Sequence, residues 1–159
     1  NILVLILLFN FGCNKNGQAP SPPFPKVTLS ATESSIEVDN VVMLNVNVAN
    51  MNNLFAISFE IIYDHIIIDI DVESGSVIAD QFTSDNFGPV VYSDNGVLSF
   101  VLGGNNIDGT IFSVPIQGLQ AGTTNVTLDK VNLIQEDGTD VFNFGSLILG
   151  NVEITVAPE

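Results

Sequence analysis

The sequence predicts an all-β protein, an antiparallel two-sheet sandwich of Greek-key or jelly-roll type with about eight or nine strands. Three observations predict it. Apolar and polar residues alternate with period two in several separate segments, as in strands with one buried and one solvated face. Turn-forming pairs such as Asn95-Gly96 divide those segments. The composition is 46% hydrophobic, and the polar remainder is mostly Asn, Asp, Gly, Ser and Thr, with no Arg at all. A helical protein would draw instead on Ala, Glu, Lys, Arg and Leu.

The chain opens on an unbroken apolar run from Ile2 to Phe9. The run is too short to span a bilayer, which takes about 20 residues, but it has the length of a signal-peptide core. It ends in Asn10-Phe11-Gly12-Cys13. A small residue before a cysteine, just after such a core, resembles the bacterial lipobox, which implies lipidation of Cys13. Asn10 stands where that pattern usually has Leu. A plain signal peptide and a buried strand with an incidental cysteine are the alternatives. The sequence shows no initiating Met and no basic leader, so the export segment is expected to continue upstream. Residues 1–13 thus form the signal and lipobox segment. Residues 14–26 form a linker, in which prolines 20, 22, 23 and 25 exclude helix and central strand and favour an extended spacer.

The domain is expected over residues 27–157. Val42, Leu44, Val46 and Val48 alternate with Asn45 and Asn47. Phe55, Ile57, Phe59, Ile61 and Tyr63 are expected to face inward, with Ala56, Ser58, Glu60 and Ile62 outward. Ile66, Ile68, Ile70 and Val72 alternate with Asp69, Asp71 and Glu73 as a further strand. Leu98, Phe100 and Leu102 alternate with Ser99 and Val101; Val126 and Leu128 with Thr127 and Asp129; Val152, Ile154 and Val156 with Glu153 and Thr155. Asn95-Gly96 is the strongest hairpin signal. Pro115, inside an apolar run, is expected at an edge or a bulge.

Charge and residue types restrict the function. The net charge is −15, with three Lys and 18 Asp or Glu, which repels nucleic acid and anionic lipid. Catalysis finds little support: there is one His, one Cys and no Gly-x-Ser-x-Gly elbow. Asp69 and Asp71 share a strand face, yet that face is expected to be solvated rather than a cleft. No cofactor is expected. Zinc lacks a Cys/His cluster. For Ca²⁺ the loops Asp80–Asn86, Asp94–Asn95, Asn105–Asp108 and Asp137–Asp140 offer oxygens without EF-hand spacing. Turn residues bonding their own backbone account for them as well.

Taken in order, the domain segments resemble the cohesin domain of bacterial cellulosome scaffolds and related surface proteins, from Val27 to Val156. The stretch Asn53-Leu54-Phe55-Ala56-Ile57-Ser58-Phe59-Glu60-Ile61-Ile62-Tyr63-Asp64 is similar to that family's turn and following strand ending in Tyr-Asp. Ile68 to Ser76, Gly122 to Leu128 and Gly150 to Val156 also fit. His65 departs from the pattern, where the family usually has Pro. The resemblance implies a nine-strand jelly roll that binds a dockerin module, or another extracellular protein, on one sheet face. Carried over residue by residue, that face holds Ala56, Ser58, Glu60, Tyr92, Ser99, Val101, Gly103 and Gly104. Cellulosomal members often have Asn and Asp at the positions of Ala56 and Ser58, so a divergent dockerin or a different ligand fits this chain. The expectation is a secreted, lipid-anchored binding module at the bacterial surface or in the periplasm. A polysaccharide-binding module and an adhesive surface subunit are the alternatives. The first of these is disfavoured by two Tyr and no Trp for sugar stacking.

Overall fold

The computed structural model describes residues 23–51, 54–73, 75–78, 90–103, 109–135 and 147–159. Twelve strands run through them: β1 (Lys26–Ala31), β2 (Ser35–Glu37), β3 (Val41–Ala49), β4 (Leu54–Ile62), β5 (Ile68–Ile70), β6 (Val77–Ile78), β7 (Val90–Asp94), β8 (Val97–Gly103), β9 (Gly109–Gly118), β10 (Gly122–Gln135), β11 (Ile148–Gly150) and β12 (Val152–Ala157). They form a jelly-roll sandwich of two sheets. The first sheet has the order β11-β1-β3-β9-β5, with β6 also on β9; the second has the order β2-β12-β10-β4-β8-β7.

The strand count exceeds the expected nine because β2, β6 and β11 are two or three residues long. Such short strands carry no readable alternation. The sandwich is also not wholly antiparallel, since β1 pairs β11 and β2 pairs β12 in parallel. The reason is topological. Each terminal segment passes from one sheet to the other, β1 to β2 and β11 to β12, and the two run side by side.

The core follows the alternation. Val42, Leu44, Val46 and Val48 are buried along β3, as are Ile57, Phe59 and Ile61 along β4. Phe100 stacks on its cross-strand partner Phe59 at 4.7 Å between ring centroids. It also meets Phe112 of the opposite sheet at 4.7 Å. These rings tie the two layers together, each contact adding about 0.5–1.5 kcal/mol beyond its buried area.

Three expectations are corrected. Phe55 does not face inward; it is 47% exposed. The β4–β10 ladder shifts register beside it, between Ile134 and Gln135, so the alternation ends there. The strand expected from Ile66 shrinks to Ile68–Ile70, and Ile66 is exposed. Asp64 causes this. Its carboxylate accepts from Ile66 N at 3.0 Å and its carbonyl from Ile67 N at 3.1 Å, closing a turn before β5. His65 occupies the second position of that turn, a position that suits Pro and most other residues. Finally, Pro115 lies inside β9, not at a sheet edge. Its carbonyl accepts from Asp71 N at 3.2 Å. In an antiparallel strand a residue's N and O point the same way, so the missing N–H faces the gap between β5 and β6.

The β7–β8 hairpin turns as the sequence predicts. Asn95 has φ 46° and Gly96 φ 86°, the signs that a type I′ turn requires. A Cβ on Gly96 would stand 2.5 Å from the Tyr63 carbonyl oxygen, so only glycine fits.

Candidate partner-binding face

The outer surface of the second sheet gathers most of the residues singled out from the sequence. On β4, Ala56, Ser58 and Glu60 alternate with the buried Ile57, Phe59 and Ile61, and each is half-buried. On β8, Ser99 is half-buried and Val101 is 48% exposed. Register joins them: Glu60 opposes Ser99, Ser58 opposes Val101 and Ala56 opposes Gly103. Tyr92 of β7 opposes Ser99, which extends the row by one strand. Cys13, Gly104 and the loops Asn105–Asp108 and Asp137–Asp140 lie outside the described residues, as does Asp80–Asn86. Asp94 and Asn95 belong to the β7–β8 hairpin, Asp94 as its last strand residue. Tyr63, the other tyrosine, is buried.

Sequence reasoning missed the contribution of β10. This strand pairs with β4, placing Ile134 opposite Ala56, Asn132 opposite Ser58 and Asp129 opposite Glu60. Ile134 is 40% exposed. Between Asp129 and Asn132 the register shifts. Lys130 and Val131 together oppose Phe59, which makes a β-bulge, and Lys130 adopts φ 46°. The bulge was readable in principle. Buried positions change parity from Val126 and Leu128 to Val131 and Leu133, with Asp129-Lys130 between them.

The bulge aims Lys130 at Glu60. Lys130 Nζ lies 2.9 Å from both Glu60 oxygens. The hydrogen bond to Glu60, and then its charge, raise the Lys130 ammonium above the ordinary lysine value. Asn132 Nδ2 donates to the Lys130 carbonyl at 3.2 Å and to Ser58 Oγ at 3.4 Å. Because Ser58 and Ser99 are small, the face dips here. A hollow of about 240 Å³ is lined by Ser58, Glu60, Ser99, Val101, Lys130 and Asn132.

The face therefore offers hydroxyls, an amide, one ion pair and two flanking apolar side chains. These are recognition groups. Among its described residues no nucleophile is held by a base, and His65 is exposed in the turn after β4. Among the described residues as a whole, no His, Cys, Asp and Glu side chains cluster as a metal site would require.

No family model and no curated protein matches this sequence. Solved structures do match its fold. A type II cohesin domain from the cellulosome of Acetivibrio cellulolyticus superposes with TM-score 0.72 at 18% identity, over 83% of this chain and 95% of that one. A non-cellulosomal cohesin from the hyperthermophilic archaeon Archaeoglobus fulgidus gives 0.69 at 12% identity, over 85% and 92%. A chain of a type I cohesin–dockerin complex from Clostridium thermocellum gives 0.65 at 13% identity, over 84% and 95%. The chain has the cohesin fold.

Proposed function

We propose that this chain is a cohesin-type protein–protein interaction module that takes a dockerin-type partner on the outer face of β10, β4, β8 and β7. One observation carries the reading. The centre of the face is built from small side chains, Ala56, Ser58 and Ser99, which let a partner helix approach closely. Val101 and Ile134 flank that centre at 48% and 40% exposure. Apolar side chains beside a small-residue floor are what a docking helix needs for a buried centre with a polar rim. The structures of similar fold include cohesin–dockerin complexes, which supports the same class of partner. The protein binds rather than catalyses. It is exported, and lipid on Cys13 tethers it to a membrane, with residues 14–26 holding the domain clear of the surface.

The full chain used as bait on the source organism's secreted proteins should recover a protein with a dockerin module. Ala56→Arg, which fills the centre of the face with a long cation, should abolish that recovery. Retention on insoluble polysaccharide with no protein partner would count against the reading. For the tether, Cys13→Ser should release the protein from membranes, and unchanged membrane association would refute lipidation.

A further inference from the structure

We propose that Lys130 sets the charge this face accepts: it takes a carboxylate of the docking module, and Glu60 holds it in position. The inference rests on the docking face described above and adds which partners that face admits.

Four observations carry it. First, Lys130 adopts φ 46°, in the left-handed region that glycine or asparagine enters most easily. A long cation there sets backbone preference aside, and bulges commonly serve to re-aim one side chain. Second, the chain holds only three Lys against 18 acidic residues. Among the described residues, Lys130 is the cation of this face; Lys26 lies on β1 in the other sheet. Third, the Lys130 side chain is 66% exposed and that of Glu60 is 23%. An ammonium has three donors, and the carboxylate occupies one side of it, so the open side of the pair is the cationic one. Fourth, the hollow of about 240 Å³ lies alongside, with the Ser58 and Ser99 hydroxyls and the Asn132 amide around it.

Electrostatics then select the partner. At a net charge of −15 the chain repels a carboxylate over most of its surface. Lys130 is the one described cation on this face; the Glu60 and Asp129 charges beside it confine the attraction for a carboxylate to the open side of the ammonium. Docking removes water from the ammonium, and the two Glu60 oxygens leave its third N–H unsatisfied. A partner carboxylate satisfies it, whereas a partner Lys or Arg meets like charge without its water. The face thus admits a module that is basic or neutral overall and carries one acid at a fixed place on its docking helix.

The test uses a displayed dockerin module with its solvent-exposed helix positions randomised, selected against the full chain. Selected binders should share an Asp or Glu at one helix position. On Lys130→Glu they should weaken by about tenfold or more, and on Lys130→Arg they should change little. The double reversal Glu60→Lys/Lys130→Glu should select Lys or Arg at the same helix position. Lys130→Gly provides the folding control: glycine suits the local φ, so thermal stability should hold while binding falls. Binders lost on Ala56→Arg but indifferent to Lys130→Glu would overturn the role of Lys130 and leave the docking face standing. Binders indifferent to both substitutions, or a library yielding none, would overturn the docking face and this inference with it.

Discussion

The two outer faces of the sandwich are built from similar residues and differ in how their polar groups are satisfied. On the first sheet the side chains bond one another across strands. Asn47 donates to Ser30 at 2.9 Å and accepts from Thr110 at 2.7 Å, while Ser113 donates to Asn45 at 2.6 Å. These bonds span β1, β3 and β9. On the second sheet the face carries a bulge, an ion pair open on its cationic side, a hollow and the exposed Val101 and Ile134. The comparison teaches that small polar side chains on a sheet do not by themselves mark a binding surface. What separates the faces is a donor still open to a partner and a backbone conformation adopted for a side chain's sake; exposed apolar side chains stand on both sheets, as at Val41 of β3 and Val101 of β8.

Both faces rest on one core, so the largest effect should fall on both together. Phe100→Ala removes the ring that contacts Phe59 and Phe112, and should cost about 3–5 kcal/mol of unfolding free energy in a urea titration. Loss of less than a kcal/mol would mean that the rings do not join the layers.

The next effect should separate the faces. Val101→Asp, at an exposed position, should leave stability within about 0.5 kcal/mol of the parent. It should nevertheless weaken partner binding on the order of a hundredfold, as loss of an interface anchor does. Asn47→Ala should show the reverse pattern. It breaks two of the cross-strand bonds and should cost about 1 kcal/mol in a thermal melt, with binding unchanged. A binding loss from Asn47→Ala would place the functional face on the wrong sheet.

Gly96→Ala should act on the second face alone. A Cβ would stand 2.5 Å from the Tyr63 carbonyl oxygen, at φ 86°, so the β7–β8 turn must shift. A cost of about 1–2 kcal/mol is expected from the left-handed conformation. Amide exchange should rise in β7 and β8 and stay constant in β1 and β3.

The smallest effect concerns pH. The Lys130 value is raised by its hydrogen bond to Glu60 and then by that group's charge. A raised cation pKa gives a contribution that is complete below the unfolded value and is lost as pH climbs through the folded one. The pair should therefore be intact at neutral pH and fade only at strongly alkaline pH. Comparison of the parent with Glu60→Gln in alkaline melts checks the sign. A difference that instead disappears on acidification to neutral pH would contradict it.

Much of this molecule is a local property of its sequence. Period-two alternation fixed which side of β3, β4, β8 and β12 meets the core, because a strand's side chains must alternate whatever they pack against. Asn95-Gly96 fixed a hairpin because its φ signs belong to the turn itself. Alternation turned Ala56, Ser58, Ser99 and Val101 outward on their own strands, and the family resemblance set those strands on one face. Tertiary structure decided the rest, because it depends on residues distant in the chain. The β2, β6 and β11 strands are too short for a pattern and exist only where a longer strand offers its edge. Phe55 and Ile66 follow the alternation in sequence, but a register shift and the Asp64 turn take them out of the core. Lys130 and Glu60 lie 70 residues apart and meet only because β10 pairs with β4 through a bulge. Parity and the family resemblance together could nominate a face. Which cation stands beside its centre is a matter of register, and register is settled only when the strands have met.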